Sequence, residues 1–203
     1  MPKLFSVGGY LAATVLIVLG VAVAVVGIVG RSYVQDQLSN EAIVGSDDMT
    51  PEATEVAIQE AGLENVSAPS CSVAGEEVDT GKEAKCFADY MRIHTLESTG
   101  GKTYAQMPQF ATEDGAGTGD AAEAQKNPDG SPMSNPARQI WVTETALTNA
   151  LYTSYFAENV ALFAIIVGIA LLLVGIGFVV LTRSARRRTP DTAAADQRAA
   201  VAT

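Results

Sequence analysis

The sequence predicts an all-α membrane protein, with two transmembrane helices bracketing a small, mostly helical extracytoplasmic domain that carries one disulfide. Three observations predict it. Residues 4–30 and 160–182 contain no charged side chain, and these runs of 27 and 23 residues are long enough to cross a bilayer, which takes about 20 apolar residues in a helix. Charge is segregated: Arg31 to Glu158 holds 7 basic and 21 acidic residues, a net of −14, while the two ends hold 6 basic and 2 acidic, a net of +4. Both cysteines, Cys71 and Cys86, lie in the acidic middle, which is punctuated by helix-start signatures. Such a chain is not read as a soluble enzyme, a nucleic-acid binder or a multidomain protein.

Basic residues that flank a span stay on the cytoplasmic side. Lys3 precedes the first run, and Arg183, Arg186, Arg187 and Arg188 follow the second. The expected organisation is therefore a cytoplasmic N-terminus (residues 1–3), a first span (4–30), an extracytoplasmic domain (31–159), a second span (160–182) and a cytoplasmic tail (183–203), basic and then disordered. The address is the plasma membrane, with both termini inside. Ala22 and Ala24 form an A-x-A-like pair, so cleavage as a secretory signal is the competing reading. The apolar run continues past them through Val25, Val26, Ile28 and Val29, which favours an uncleaved anchor.

Neither span holds an Asp, Glu, Lys, Arg or His side chain, which argues against a pump or transporter. Both carry small residues: Gly20 and Gly27 in the first, and Ala164, Gly168 and Gly175 in the second. Small residues let helix backbones approach in lipid. They point to a helix pair or a contact with another membrane subunit, or simply reflect Gly/Ala/Val-rich composition.

Beyond the first span, Val34, Leu38 and Ala42 recur at four-residue spacing, as one stripe of a continuing helix with Gly45 as its stop. Thr50-Pro51-Glu52 is a helix start, combining a hydroxyl cap, a first-turn proline and an acid at the positive end of the dipole. That helix runs to about Ala61, with Gly62 as its cap. A third stripe is Phe87, Tyr90, Met91 and His94, ended by Gly100-Gly101. Residues 112–135 read as a mobile loop rich in Gly, Asp and Pro. Asn135-Pro136 restarts the chain as a stalk helix continuing to about Thr182. On it, Ile140, Leu147 and Leu151 offer a face for the shorter helices, and Tyr152, Tyr155 and Phe156 sit where an interfacial aromatic belt belongs.

An even cysteine count in an oxidising compartment favours a Cys71–Cys86 disulfide. A Cys-x-x-Cys redox motif is ruled out by the spacing, and zinc would need two further ligands. His94, the sole histidine, is read as packed on its helix stripe, with a pH-sensing or ligand role as the alternative. Trp141 and Ile140 on the stalk, with Tyr90 and His94, are the possible interaction residues. No catalytic, metal or cofactor residues are assigned, because the near-misses fail on spacing. Gly101-Lys102-Thr103 lacks the glycine a P-loop needs at Leu96, and the acidic stretch from Glu113 to Asp120 lacks EF-hand spacing.

The chain resembles a family of two-span membrane proteins of actinobacteria such as streptomycetes. The resemblance rests on Asp48-Met49-Thr50-Pro51-Glu52, on Tyr90-Met91-Arg92-Ile93-His94-Thr95-Leu96-Glu97, on Gly100 through Pro108, and on Asn135 through Thr145. It covers most of the chain from Leu4 to Arg183 and implies no biochemical activity. Similar proteins are often labelled aromatic ring-opening dioxygenases. Non-haem iron oxygenases use two histidines and a carboxylate, and one histidine does not meet that need. The expected function is a non-enzymatic membrane component whose outer domain contacts a protein partner or a second copy, with membrane lipid around its spans and no nucleotide or nucleic acid. The alternative is an extracytoplasmic sensor that lacks its own output domain.

Overall fold

In a computed structural model the backbone is described for residues 2–201 and the side chains for residues 7–185. The chain forms four α-helices: α1 (Pro2–Asn40), α2 (Pro51–Glu60), α3 (Gly81–Ser98) and α4 (Pro136–Val201), with one 3₁₀ turn at Tyr104–Gln106. Among the described residues there is no β-strand, only isolated bridge pairs. Two units separate, residues 33–158 and the pair of terminal segments 1–32 and 159–203.

The terminal unit is an antiparallel pair built from α1 and α4. Its buried positions form a seven-residue repeat of small side chains: Ala13, Gly20 and Gly27 on α1, and Ala161, Gly168 and Gly175 on α4. The contact is backbone to backbone. A methyl group on Gly20 would lie 2.8 Å from the Gly168 carbonyl oxygen, one on Gly27 would lie 2.6 Å from that of Ala161, and one on Gly168 would lie 2.6 Å from the Ala24 nitrogen. Seven residues are close to two turns, so a strict seven-residue repeat keeps one seam facing its partner along both helices. Ala164 is half-buried. Outside the seam the large apolar side chains are exposed, Val26 to 69 % and Leu173 to 65 %. Both helices are long and apolar enough to cross a membrane.

The 33–158 unit is organised by α3. Thr80 caps its N-terminus reciprocally with Glu83, and the Gly81 N–H donates to Glu158 Oε2 of α4 at 2.6 Å. Gly81 must be glycine at this point, since a Cβ would meet the Tyr155 Cα at 2.8 Å. Two apolar clusters meet at Phe87. One gathers Leu38, Val78, Ala84, Ala88 and Leu151. The other surrounds Cys86 with Met49, Val73 and Tyr90. The Cys71–Cys86 disulfide is formed, with its Cα atoms 6.2 Å apart, and the buried Tyr90 hydroxyl donates to the Cys71 carbonyl at 2.5 Å. Closing a loop of about 15 residues stabilises a small domain by roughly 3 kcal/mol in the chain-entropy account.

Helices α2 and α3 start and stop as their sequences dictate. Thr50 Oγ1 accepts the Ala53 N–H at 3.2 Å. Both helices end in the same double bond pattern: Gly62 N–H to Gln59 and Leu63 N–H to Ile58, then Gly100 N–H to Glu97 and Gly101 N–H to Leu96. Gly62 and Gly100 take the left-handed conformation this requires, both with φ 62°.

Three expectations need correction. The outer part of α1 ends at Asn40, not at Gly45. Ala42 makes the reversal at φ 48°, and Gly45 serves a close approach instead, a Cβ there falling 1.9 Å from the Val73 carbonyl oxygen. The face of α4 that packs on the shorter helices is not Ile140–Leu147–Leu151. Leu151 is buried, but Ile140 and Leu147 are 44 % and 50 % exposed, because a packed helix buries a 3.6-residue stripe, and here Glu144, Thr148 and Leu151 occupy it. Residues 112–135 are irregular as expected, yet cross-braced. Phe110 exchanges backbone hydrogen bonds with Thr118 at 2.9 and 3.0 Å, Ala111 donates to Met133 and Met133 to Gln125. The backbone of α4 stays helical through Val201, past the end expected near Thr182, in a stretch rich in the strong helix formers alanine and arginine. The side chains of Lys3, Arg186, Arg187 and Arg188, on which the inside/outside assignment partly rests, lie outside the described residues.

Gly168→Leu is expected to lower the stability of the helix pair by about 1–3 kcal/mol, the usual cost of overpacking, seen as a reduced thermal midpoint in detergent. Gly177→Leu, where nothing lies within 4 Å of an added Cβ, is the control that leaves the midpoint unchanged. Equal midpoints for the two variants would show that the close approach contributes nothing.

Candidate functional site at the α3–α4 seam

The sharpest concentration of charge and aromatic chemistry in the 33–158 unit is a ladder between α3 and α4. On α3, Lys85, Asp89 and Arg92 follow one another at spacings of four and three residues, which places them along one helix face. The facing rungs on α4 are Tyr152, Thr148, Glu144 and Trp141, again at three- and four-residue steps.

At one end Tyr152 donates its hydroxyl proton to Asp89 Oδ1 at 2.7 Å, while Lys85 Nζ pairs with Asp89 Oδ2 at 2.5 Å. Burial, and then the Asp89 carboxylate that accepts its hydrogen bond, push the Tyr152 hydroxyl from 10.0 up to about 12. In the middle Thr148, 1 % exposed, returns its hydroxyl to the Glu144 carbonyl at 2.9 Å. At the other end the Glu144 carboxylate is 3 % exposed, and Arg92 Nε lies 3.2 Å from its Oε1. That contact is an ion pair by distance, but its N–H is not aimed at the oxygen, because Oε1 has no hydrogen-bond donor. Charge therefore compensates the buried carboxylate. Thr145 donates to Oε2 at 3.2 Å. The Arg92 guanidinium also stacks over the Trp141 ring, 4.6 Å from its centroid, a cation–π contact. A second pair of this kind places Arg138 4.0 Å above Tyr104.

The residues singled out by sequence fall in different places. Trp141 belongs to the ladder and is half-buried under Arg92. Ile140, its neighbour, points away and is exposed. Tyr90 is 0 % exposed, so its reading as a contact residue is corrected: it is a core residue bonded to the Cys71 carbonyl beside the disulfide. His94 is half-buried, with Nδ1 2.9 Å from Glu97 Oε2 and Nε2 3.8 Å from Asp48 Oδ2. The Ser46 hydroxyl, aided by His94 and opposed by slight burial, holds the Asp48 carboxyl below its usual range. Lys85, Asp89, Arg92 and Glu144 were not anticipated. A signal existed for Glu144, the sole charged residue between Gln139 and Ala157.

Two open depressions lie elsewhere. A groove of about 520 Å³ runs between α2 and the 66–70 segment, lined by Pro51, Glu55, Ile58, Val66 and Pro69. A wider one of about 800 Å³ lies in the acidic loop, near Glu113, Asp114, Glu123 and Lys126. Among the described residues no group of three or more His, Cys, Asp or Glu side chains is placed to hold a metal ion. The ladder engages its charges with one another, which suits it to fixing two helices. No protein-family profile, curated protein or solved structure matches the chain.

Arg92→Ala leaves the buried Glu144 without a counter-charge and is expected to destabilise the 33–158 unit by about 2–4 kcal/mol. The paired change Arg92→Met with Glu144→Leu should recover most of that loss. Urea unfolding followed through Trp141, the only tryptophan, measures both, and equal stability of Arg92→Ala and the unaltered protein would refute the role given to the pair. For Tyr152 the folded hydroxyl holds its proton more tightly than the unfolded one. The resulting stabilisation is complete below the unfolded value near 10.0 and is lost as pH rises towards about 12. Tyr90, raised by burial and then by the field of Glu52, adds to the same alkaline loss. Tyr152→Phe should make the fall in stability above pH 10 shallower, and an unchanged slope counts against the assignment.

Proposed function

We propose that the chain is a non-enzymatic integral protein of the plasma membrane, with both termini cytoplasmic and the 33–158 unit displayed outside as a contact module. The observation that carries this reading is the exposure of α1 and α4. The most apolar windows of the two helices are only 17 % and 11 % buried within the protein. A core helix of a soluble protein would be mostly covered, and large uncovered apolar surfaces are not stable in water. Lipid is the solvent that suits them.

Two further features fit an external cap. The disulfide belongs to an oxidising compartment, and the acidic composition of residues 31–158 contrasts with the basic ends. The contact role is supported by how the cap's charges are engaged. Arg92 with Glu144 and Asp89 with Tyr152 hold α3 against α4, the helix that continues as the second span. A shape held that firmly presents a fixed surface, as recognition requires.

The full-length protein should remain in the membrane pellet after alkaline carbonate extraction. In intact cells a thiol reagent should label Cys71 and Cys86 only after an impermeant reductant, and a C-terminal epitope should be protected from external protease. Release into the carbonate supernatant refutes the membrane reading, and digestion of the C-terminal epitope in intact cells reverses the orientation.

A further inference from the structure

Two stretches far apart in the chain escape the acidity of the 33–158 unit. All 21 acidic residues between Arg31 and Glu158 lie outside residues 98–112 and 130–143. Those stretches hold one cation each, Lys102 and Arg138, and the fold sets them side by side. Asn135 donates its N–H to the Gln109 carbonyl and its Nδ2 to the Pro108 carbonyl, both at 3.0 Å, and Ala111 donates to Met133 at 2.9 Å. Arg138 stacks 4.0 Å above the ring of Tyr104, two residues from Lys102. One turn further along α4, Trp141 lies under Arg92. The result is a basic and aromatic face on an otherwise acidic unit. Its cations are not engaged alike. Arg92 compensates Glu144, whereas Lys102 is exposed, and among the described residues neither it nor Arg138 pairs with a carboxylate. Arg138 Nε is buried without a hydrogen-bond partner.

We propose that this face binds an acidic segment of a partner protein, with Arg138 and Lys102 taking its carboxylates and Tyr104 its apolar atoms. Charge complementarity selects that occupant. A guanidinium stacked on a ring keeps its N–H edge free for a two-pronged bond to a carboxylate. The stack also holds that edge in place before the partner arrives, which lowers the ordering cost of binding. Tyr104, 40 % exposed, adds apolar surface that a peptide covers and a small free anion does not. The acids elsewhere on the unit set the orientation. They repel an acidic segment at contact, while beyond about 8 Å physiological salt screens them. A basic partner would have no reason to prefer this face. The inference deepens the contact role proposed above by naming the partner's chemistry, and it rests on that role being one of protein recognition.

The test uses the full-length chain in a neutral detergent, with an end-blocked hexaglutamate peptide as the probe. A zero-length carbodiimide joins a lysine amine to a carboxylate in contact with it, and mass spectrometry locates the lysines that carry peptide. Lys102 should be coupled several-fold more than Lys82 and Lys126, which are also exposed. Arg138→Gln should cut the Lys102 yield several-fold and leave the other two unchanged. Equal yields at the three lysines, or a Lys102 yield indifferent to Arg138→Gln, overturn the proposal. If that variant fails to fold, the ratio among the three lysines of the unaltered chain decides alone. Loss of the Lys102 yield on adding inorganic phosphate or phosphatidylglycerol vesicles at equal charge assigns the face to phosphate and overturns the choice of a peptide. A chain released by carbonate that still couples at Lys102 refutes the membrane reading alone, while a membrane-embedded chain with no preference for Lys102 refutes this inference alone.

Discussion

The backbone of α1 touches the backbone of α4 because three small residues on each helix recur every seven positions, and the terminal unit is built outward from that contact. Ala13, Gly20 and Gly27 meet Ala161, Gly168 and Gly175, and at Gly20, Gly27 and Gly168 the distances leave no room for an added methyl group. In water such a pair would be a poor structure, since almost nothing apolar is buried and nearly every large side chain faces outward. In lipid the outward side chains cost nothing, and close packing of small residues is what remains to hold helices together. The glycines that would weaken an isolated helix are what let these two approach.

The 33–158 unit solves the opposite problem. It is small, acidic and poor in large apolar residues, so it cannot rely on core volume. Three devices stand in for it. The Cys71–Cys86 disulfide fixes the loop before α3 to its second turn. Glu158 reaches from α4 to cap the first turn of α3, where a carboxylate meets the positive end of the helix dipole. The ladder from Tyr152–Asp89 to Arg92–Glu144 then replaces apolar contact with paired charge. Removing one partner from a buried pair costs far more than the pair contributes, so such a ladder specifies one arrangement of α3 on α4 more than it deepens stability.

Much of this was legible in the residues. Thr50-Pro51-Glu52, Gly62 and Gly100-Gly101 announce helix ends because their chemistry is local, and the structure puts the ends there. The two cysteines are paired. The misreadings have a common origin. Gly45 was read as a stop and Ile140–Leu147 as a packing face, each from spacing along one segment, yet both depend on what lies opposite. Val73 demands the glycine, and Arg92 of α3 engages Glu144 while the bulkier apolar pair stays exposed. Tyr90 was placed correctly on its stripe and wrongly at the surface, since a stripe shows that residues share a face without showing what covers it.

The sequence by itself determined the element types, their ends and the two apolar rods, because these follow from charge, from the length of uncharged runs and from hydrogen bonds between near neighbours. Only the tertiary structure decided that the small residues of both rods meet in one seam, that Glu144, the sole charged residue between Gln139 and Ala157, turns inward to Arg92, and that Ile140 and Leu147 stay outside. Those outcomes depend on which distant backbone arrives at each face, and no local pattern encodes the arrival.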